Sequence, residues 1–347
     1  MAELSRKEVT YQRADEDRPR NTQRYFANLK GLMLGECIDL YHQEHAHRRK
    51  ASKYYITEAL NQFMAMNGIQ ENFPMIALEK SHCKVFKGFL LDGKIGRGRK
   101  PGPVTINRKL AALHHFIKWA VNNDHMKDDI MSGLALPPRL VSESRTRKEA
   151  FTPEALSAIL KALSPYRESP DAMRREWFWG CTMLAHSGCR ALEVIQLLKT
   201  DVKQVEEIWC LDLVGKGEGR QLKNKTSVRK VPVHSAMLAA GFIEWCGQQP
   251  GPRLFPLLFP YGVIKTTQWF SVTLKKLKIK RAELTLHSLR HSFTVALEKA
   301  KVHPSISYRL LGHALPGGVH ATTYLHSLSY PMSELSEAVE AVKFPKP

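Results

Sequence analysis

The sequence predicts a mainly α-helical protein of the α+β class, with a small antiparallel β-sheet in its second half. Apolar residues recur at helical spacing in residues 105–121, TINRKLAALHHFIKWAV, and again in residues 151–163. Apolar and polar residues instead alternate in Ile208–Val214 and Val228–His234, which favours two strands on either side of a turn rich in glycine and lysine. A chain of 347 residues is about long enough for two domains.

Changes in composition divide the chain into four segments. Residues 1–50 are polar and charged, apart from an apolar patch at 29–40, and are predicted to be an N-terminal extension. Residues 51–138 are predicted to form a helical domain. Residues 139–150 follow two prolines and are polar and basic, as expected for a linker. Residues 151–347 are predicted to form the second domain.

Capping residues indicate where several helices begin. Thr105 can cap the helix of residues 105–121, and Thr152 with Pro153 marks the start of the helix of residues 151–163. An amphipathic helix is predicted over residues 333–344, with an apolar stripe formed by Leu335, Ala338, Val339 and Val342. Three further helices are predicted near Ser235–Trp245, Thr266–Leu277 and Leu286–Ala300.

The charge balance indicates a polyanionic partner. The chain has 52 Lys and Arg against 33 Asp and Glu, a formal net charge of +19. Nucleic acid is the first candidate, although ribosomal, membrane-surface and heparin-binding proteins share this excess. The N-terminus has no apolar signal region and no apolar run reaches the length of a membrane span, so we expect a cytoplasmic, nucleoid-associated protein with no membrane partner.

Cysteine and histidine spacing gives little support for a metal or redox centre. The six cysteines are scattered and contain no C-x-x-C pair, which is typical of reduced thiols in the cytosol. His42, His45 and His47 precede three basic residues. A metal site is one interpretation of this group, but a solvated basic face is favoured because no further ligands lie nearby.

Basic residues cluster in three places that are candidates for contacting DNA phosphates. The loop of residues 93–103, GKIGRGRKPGP, leads into the helix of residues 105–121, and it is either a solvated linker or a phosphate-contacting loop. A second group lies in the turn between the predicted strands, and a third in residues 275–281, KKLKIKR. The candidate DNA-binding residues are Arg97, Arg99, Lys100, Arg108, Lys225, Lys275 and Lys276.

Four short segments of the second domain carry residues suited to phosphate chemistry. Arg190 follows a glycine at a predicted helix start, where backbone N–H groups also favour an anion. Lys223 and Lys225 precede the second strand. His287 and Arg290 are three residues apart on one helix, so they project from the same face. The fourth segment, residues 310–326, contains His313 and Tyr324. Each segment taken alone is weak evidence.

Together and in this order, the four segments resemble the active-site boxes of the tyrosine recombinases, the phage integrase family. Ser187, Gly188, Arg190 and Glu193 match its first box, and His287 to Phe293 match H-x-L-R-H-S-F in full. Leu311, Gly312 and His313 match the L-G-H box, and Tyr324 matches the nucleophile. The resemblance covers roughly residues 151–330. The helical residues 51–138 are similar in pattern to the family's core-binding domain, which with the catalytic domain forms a C-shaped clamp.

Two positions depart from the family's usual spacing. Tyr324 lies eleven residues after His313 instead of nine, beyond a loop lengthened by Pro316, Gly317 and Gly318, and Tyr308 and Tyr330 lie nearby. The family's lysine precedes a Val-Pro pair. Lys223 fits one common spacing and Lys225 is one residue off another, so Lys223 is favoured.

The resemblance implies a reaction without metal, ATP or any other cofactor. Arg190 and Arg290 would clamp the scissile phosphate, His287 would accept the proton of Tyr324, Lys223 would protonate the leaving 5′-oxygen and His313 would support the phosphate. The product would be a 3′-phosphotyrosine, which conserves the bond energy for rejoining. Two rivals remain: a type IB topoisomerase with a similar residue set, and a DNA-binding protein that keeps the fold without the reaction.

The resemblance also implies partners. Double-stranded DNA at specific recombination sites would bind four protomers, and strands would exchange through a Holliday junction. Accessory DNA-bending or directionality factors would assist, and the element moved would be a phage or another mobile element. The apolar stripe of residues 333–344 would then dock on a neighbouring protomer. Packing against its own domain is the alternative.

Overall fold

The computed structural model describes residues 31–48, 50–93, 100–215, 220, 222, 225–313 and 330–344. It confirms the predicted fold class, because the chain is mainly helical with one small antiparallel sheet of three strands in the described residues. The chain divides into two compact units, and the boundary falls between Arg145 and Thr146, inside the predicted linker. Within the described residues, no helix is both long enough and apolar enough to cross a membrane.

The first unit is built from five described helices around its own hydrophobic core. The core is rich in aromatic side chains, among them Tyr41, Phe63, Phe86 and Phe116. The second helix packs against both the third and the fourth. The helices are α1 (Leu34–Glu44), α2 (Lys50–Asn67), α3 (Lys80–Asp92), α4 (Pro103–Asn122) and α5 (Pro138–Glu143), with a short 3-10 helix at Met75–Ala77.

Three boundaries in the first unit differ from those predicted. Helix α1 buries Leu34 and Cys37 in the unit's core, so this part of the predicted extension belongs to the unit. Helix α5 begins at Pro138, the last residue predicted for the helical domain, extends into the predicted linker and packs Val141 on the same core. Helix α4 begins at Pro103 with Gly102 as its N-cap, and not with a Thr105 cap, because the fixed φ of a proline suits the first helical position.

The second unit wraps helices around a three-stranded sheet. Helix α7 is its central element, with Phe178, Trp179 and Met183 all buried. The described elements are α6 (Pro153–Leu163), α7 (Ala172–Ser187), α8 (Ala191–Ile195), β1 (Val202–Val205), β2 (Ile208–Leu213), β3 (Arg229–Pro232), α9 (Ser235–Ala239), α10 (Phe242–Gln248), α11 (Gly262–Lys276), α12 (His287–Lys299), α13 (Pro304–Leu311) and α14 (Met332–Glu340). Short 3-10 helices lie at Ser164–Tyr166, Lys199–Asp201, Lys225–Ser227 and Phe259–Tyr261.

The sheet is antiparallel with the order β1-β2-β3. Lys203 pairs with Cys210 across the first hairpin, and Cys210 pairs in turn with Pro232 of β3. Strand β1 was not predicted from the sequence. Its hairpin turns at Glu206 and Glu207, both with positive φ, and such turns are usually recognised by asparagine or glycine.

The helices that follow the sheet are close to those predicted, with one exception. The helix predicted over Ser235–Trp245 is two short helices, α9 and α10, which meet at Gly241 with φ +87°.

The predicted Thr152 cap of α6, which precedes the sheet, is present, since the Thr152 side chain accepts a hydrogen bond from the backbone N–H of Ala155.

The apolar stripe of the last helix packs within its own unit. Leu335, Ala338 and Val339 of α14 and the following Val342 all lie in the second unit's core. The Glu340 carboxylate accepts hydrogen bonds from the backbone N–H and the hydroxyl of Ser235, both at 2.6 Å. Of the two alternatives raised for residues 333–344, the structure therefore has the helix docked on its own domain.

Candidate active site

Arg190 is positioned by a sharp turn between two helices. Helix α7 ends at Gly188, whose φ of +61° is left-handed. A Cβ at this position would collide with the ring of Phe293 and reach 3.0 Å from the Leu311 side chain, so the turn requires glycine. The reversal buries Cys189 and places Arg190 as the N-cap residue of α8, with 19% of its side chain exposed.

Glu193 holds Arg190 through both of its carboxylate oxygens. The backbone N–H of Arg190 donates to Oε2 at 2.8 Å, and the Arg190 Nη1 donates to Oε1 at 2.6 Å. Arg190 also donates from Nη1 to the hydroxyl of Ser227 at 3.1 Å. Burial raises the pKa of Glu193, but the charges and hydrogen bonds of Arg229 and Arg190 outweigh it, so the pKa lies below its usual value and the side chain is a carboxylate.

Arg290 projects from α12 into the same place. Its Nη1 donates to the Gly188 carbonyl and its Nη2 to the Leu311 carbonyl, both at 2.6 Å. Burial, followed by repulsion from Arg190 and Arg229, lowers the pKa of Arg290 to about 10, so it is charged at neutral pH.

His313 lies beside Arg290. The Arg290 Nη2 is 2.8 Å from the His313 Nε2. Because a guanidinium can only donate, Nε2 is the acceptor in this contact, and a neutral His313 carries its proton on Nδ1. The rest of the His313 side chain is exposed, so the ring lies at the edge of the site.

The end of helix α13 supplies three consecutive carbonyl oxygens to three different arginines. Leu310 O accepts from Arg229 Nε at 2.6 Å, Leu311 O accepts from Arg290, and Gly312 O accepts from Arg190 Nη2 at 3.1 Å. These are carbonyls of a helix C-terminus, which lack partners inside the helix and carry the negative end of its dipole. They offset the repulsion among the clustered guanidinium groups.

His287 is the first residue of α12, one turn before Arg290, and it is exposed. Its ring meets His291 edge to face, with centroids 4.9 Å apart. Burial and the charge of Arg290 lower the pKa of His291. The structure thus brings Arg290 into direct contact with His313. Arg190 donates to the carbonyl of Gly312, the residue before His313, and His287 lies at the exposed start of the helix that carries Arg290.

The remaining predicted residues fall into two groups. Lys223, Tyr324, Arg97 and Arg99 lie outside the described residues, as does the side chain of Lys225. In the first unit, Lys100 and Arg108 are exposed, and the Arg108 guanidinium lies 5.5 Å from the centre of the Tyr55 ring. In the second unit, Lys275 and Lys276 are exposed in the last turn of α11.

Arg229 is a site residue that the sequence analysis missed. It lies in β3, has no exposed side-chain surface, and its Nη2 donates to Glu193 Oε2 at 2.9 Å. The available signal is the phase of the strand, because Arg229 shares the inward side with Val231 and Val233, but this phase does not identify a partner for the charge.

The histidines near residue 45 have other partners than a metal. His42 Nε2 lies 3.2 Å from the Thr57 hydroxyl, and His45 stacks on the ring of Tyr41. Among the described residues, no group of three or more His, Cys, Asp or Glu side chains has the arrangement of a metal site. All six cysteines are free thiols and buried.

The phage integrase family model matches residues 149–329, which is about the range over which the boxes resemble that family. The chain belongs to the phage integrase family. It is therefore a site-specific DNA recombinase of the tyrosine type. The tyrosine recombinase of Thermosipho africanus (strain TCF52B) is 22% identical over 288 residues, which cover 81% of this chain and 92% of that protein.

Solved integrase structures share the fold of this family member. The Tn1549 transposon integrase, in complex with circular intermediate DNA, matches with a TM-score of 0.60 and 15% identity, over 88% of this chain and 99% of that chain. A lambda integrase dimer bound to a COC′ core site matches with a TM-score of 0.56 and 13% identity, over 86% and 98%. A lambda integrase tetramer bound to a Holliday junction matches with a TM-score of 0.58 and 13% identity, over 91% and 88%.

Proposed function

We propose that this recombinase cleaves and rejoins DNA through attack of Tyr324 on a scissile phosphate, and that it integrates or excises a phage or another mobile element. The observation that carries the proposal is the convergence of Arg190, Arg290 and His313 in one place. The two arginines are held by carboxylate and backbone partners, and the His313 ring accepts from Arg290. The positive charge of this group suits the anionic phosphate of a DNA backbone. The recombinase acts on double-stranded DNA at specific sites, and it does so in the cytoplasm, associated with the nucleoid.

The two arginines supply the electrostatic part of the reaction. Charge builds on the phosphoryl oxygens in the transition state, and guanidinium groups fixed in advance stabilise it without reorganising. Arg190 and Arg290 are held in advance by the Glu193 carboxylate and by main-chain carbonyls. Both keep further N–H groups with which to donate to a phosphate, since each guanidinium has five.

Protons move at both ends of the scissile bond. A tyrosine hydroxyl has a pKa near 10, so Tyr324 needs a proton acceptor at neutral pH, and His287 takes this role. Lys223 donates a proton to the leaving 5′-oxygen, and His313 donates a hydrogen bond to the phosphate from Nδ1–H. The 3′-phosphotyrosine conserves the bond energy, and attack by a 5′-hydroxyl reverses the step.

Tyr324 is favoured as the nucleophile over the nearby Tyr330, because Tyr330 makes contacts of its own within the second unit. The Tyr330 hydroxyl donates to the Ser305 hydroxyl at 2.6 Å, and its ring packs against the second unit's core. Tyr330 thus has a structural role that a nucleophile at this place would have to abandon. Tyr308, on α13, is partly buried before the L-G-H segment.

We further propose that the active assembly is a tetramer on two DNA duplexes. The lambda integrase structure of similar fold is a tetramer on a Holliday junction, which is the intermediate expected when strands exchange in pairs. Accessory DNA-bending or directionality factors would set the direction of the reaction.

The decisive experiment is to trap and map the covalent adduct. A nicked suicide substrate, built from the DNA that flanks the chain's own gene, should yield a protein–DNA adduct whose peptide map contains Tyr324. Tyr324→Phe should abolish the adduct, whereas Tyr330→Phe, the matched control, should retain it because only a hydrogen bond to Ser305 is removed.

Three other outcomes would contradict the proposal. An adduct on Tyr330 would support the proposed reaction but show that Tyr330, and not Tyr324, is the nucleophile. Relaxation of plasmids at random sites, with no strand exchange between duplexes, would indicate a type IB topoisomerase. No adduct on any flanking sequence would favour a DNA-binding protein without the reaction.

A further inference from the structure

Arg229 is a fully buried charge at the centre of the site. Its side chain has no exposed area, and it is among the largest buried side chains of the protein. Its donors reach three segments: Nε donates to Leu310 O at 2.6 Å, Nη1 to Ser227 O at 2.9 Å and Nη2 to Glu193 Oε2 at 2.9 Å. Burying a guanidinium requires such partners, and a packed apolar side chain would be an equally stable alternative.

The geometry around Glu193 shows what the buried charge does. Oε2 of Glu193 accepts from the backbone N–H of Arg190 and from Arg229, while Oε1 accepts from the Arg190 guanidinium. Arg190 and Arg229 therefore share one carboxylate. Without Arg229, both oxygens of Glu193 would be left to Arg190 alone, and a bidentate pair would form with the guanidinium that has to bind a phosphate.

We propose that Arg229 is a positioning residue that occupies Glu193 and so leaves the charge of Arg190 available to the scissile phosphate. The inference rests on the proposed function, because it assigns to Arg190 a phosphate as its ligand. Arg229 acts through Glu193 and Arg190, and it does not touch the DNA.

The count of formal charges agrees with this role. Among the described residues, Arg190, Arg229 and Arg290 carry three positive charges against the negative charge of Glu193, so these four side chains have a net charge of two. Replacing Arg229 by an apolar residue would leave a net charge of one, shared by the two arginines that face the substrate. Loss of Arg229 would thus weaken the field at the phosphate in addition to releasing Glu193.

The surroundings of Arg229 hold it in this position. A Cβ on Gly312, whose φ is +62°, would lie 2.7 Å from the Arg229 Nη1 and 3.0 Å from its Cζ, so a glycine is required there to admit the guanidinium. Ser227 accepts from Arg229 with its carbonyl and from Arg190 with its hydroxyl. The Arg229 side chain thus connects β3 to Glu193 of α8 and to the end of α13.

The test compares cleavage of two suicide substrates by Arg229→Met. One substrate has an ordinary scissile phosphodiester, and the other has a neutral methylphosphonate at that position. On the phosphodiester we expect Arg229→Met to cleave about 10- to 100-fold more slowly at saturating protein, the range seen when an outer partner of a functional ligand is removed. On the methylphosphonate the ratio of the wild-type cleavage rate to that of Arg229→Met should approach one, because no negative charge there has to be neutralised.

A double variant tests whether the effect runs through the carboxylate. Glu193→Gln added to Arg229→Met removes the negative charge that would capture Arg190, so the double variant should cleave faster than Arg229→Met alone, by a few-fold to about tenfold, as for contacting side chains that couple. Arg229→Lys keeps the charge and should lose less than Arg229→Met. DNA affinity should stay within a few-fold of wild type, since Arg229 is buried.

The control separates this role from loss of stability. Leu160→Ala truncates a side chain that is 1% exposed on α6, in the same core but on a helix that supplies none of the arginines' hydrogen bonds given above. It should reduce cleavage of both substrates equally or not at all. Equal losses of Arg229→Met on both substrates, unrelieved by Glu193→Gln, would overturn the inference and leave the proposed function intact. Failure of the wild-type chain to form any adduct would overturn both.

Discussion

At the scale of single residues, the site depends on backbone conformations that only glycine adopts easily. Gly188 ends α7 with a left-handed turn and presents its carbonyl to Arg290. Gly312 ends α13 in the same way and leaves room for Arg229. Both glycines belong to the motifs that carry the family resemblance, and the structure explains why each motif contains one.

Gly188→Ala is expected to destabilise the protein by about 2–5 kcal/mol, because a left-handed alanine and a clash with Phe293 and Leu311 add to one another. Gly241→Ala is the matched control. Gly241 also has a left-handed φ, of +87°, but its Cβ would come no closer than 3.7 Å to Glu244, so a loss of only about 1–2 kcal/mol is expected. Urea unfolding of both variants measures the difference, and equal losses would contradict the steric argument.

Three residues that the structure brings together at the site were predictable, because each has a chemical type and a place in a recognisable motif. Arg190, Arg290 and His313 fall into this group. Arg229 was not predicted, since a basic residue in a strand beside a lysine is normally solvated. Its inward phase has meaning only once Glu193 is known to lie opposite, and that contact joins residues 36 positions apart.

At the scale of elements, a buried carboxylate ties helix α7 to the segment that precedes α11. Glu176 is 2% exposed and accepts hydrogen bonds from the backbone N–H groups of Leu257 and Leu258, at 2.9 and 2.8 Å. Burial raises the pKa of Glu176 to about 7, and the two N–H groups limit the rise. The ordinary carboxyl pKa is about 4.3 in an unfolded chain.

The raised pKa of Glu176 gives the folding stability a defined pH dependence. Between about pH 4.3 and pH 7 the folded chain binds more protons at Glu176 than the unfolded chain. The contribution of protonated Glu176 to the free energy of unfolding is therefore fully present below this window and is lost as the pH rises through it. Relative to Glu176→Gln, wild type should lose on the order of 3 kcal/mol between pH 4 and pH 8. Denaturant unfolding across this range measures it. Parallel pH profiles for the two proteins would show that the carboxyl titrates normally.

The elements that the sequence predicted best are the long amphipathic helices, where periodicity runs over several turns. Helices α6 and α12 begin within two residues of the predicted positions. Strand β1 has only four residues and no glycine in its turn, so nothing local distinguishes it from a loop. The break between α9 and α10 falls at Gly241, whose left-handed φ interrupts the helix without disturbing the apolar periodicity from which the helix was predicted.

At the scale of the whole molecule, the net charge of +19 should govern affinity for DNA. Each phosphate contact by Lys or Arg releases condensed counterions, so raising salt from about 50 to 200 mM should weaken binding by roughly 10³-fold or more. Lys100→Gln is expected to reduce the slope of log K against log salt by about one, and the exposed Lys84→Gln on α3 should leave it unchanged. Fluorescence anisotropy at several salt concentrations measures the slopes, and a nearly flat plot for wild type would contradict the expectation.

The end of helix α13 has a consequence for how the site withstands changes in its surroundings. Residues 310–312 restrain the arginines with main-chain oxygens. A carbonyl oxygen, unlike a carboxylate, neither takes up a proton in mild acid nor disappears when a side chain is substituted. In the absence of DNA, the like charges are therefore held together partly by groups that neither acid nor a side-chain substitution can remove. Among the described residues, the neutralising partner of these arginines that a substitution can remove is Glu193, so substitutions in this family member should be least tolerated there.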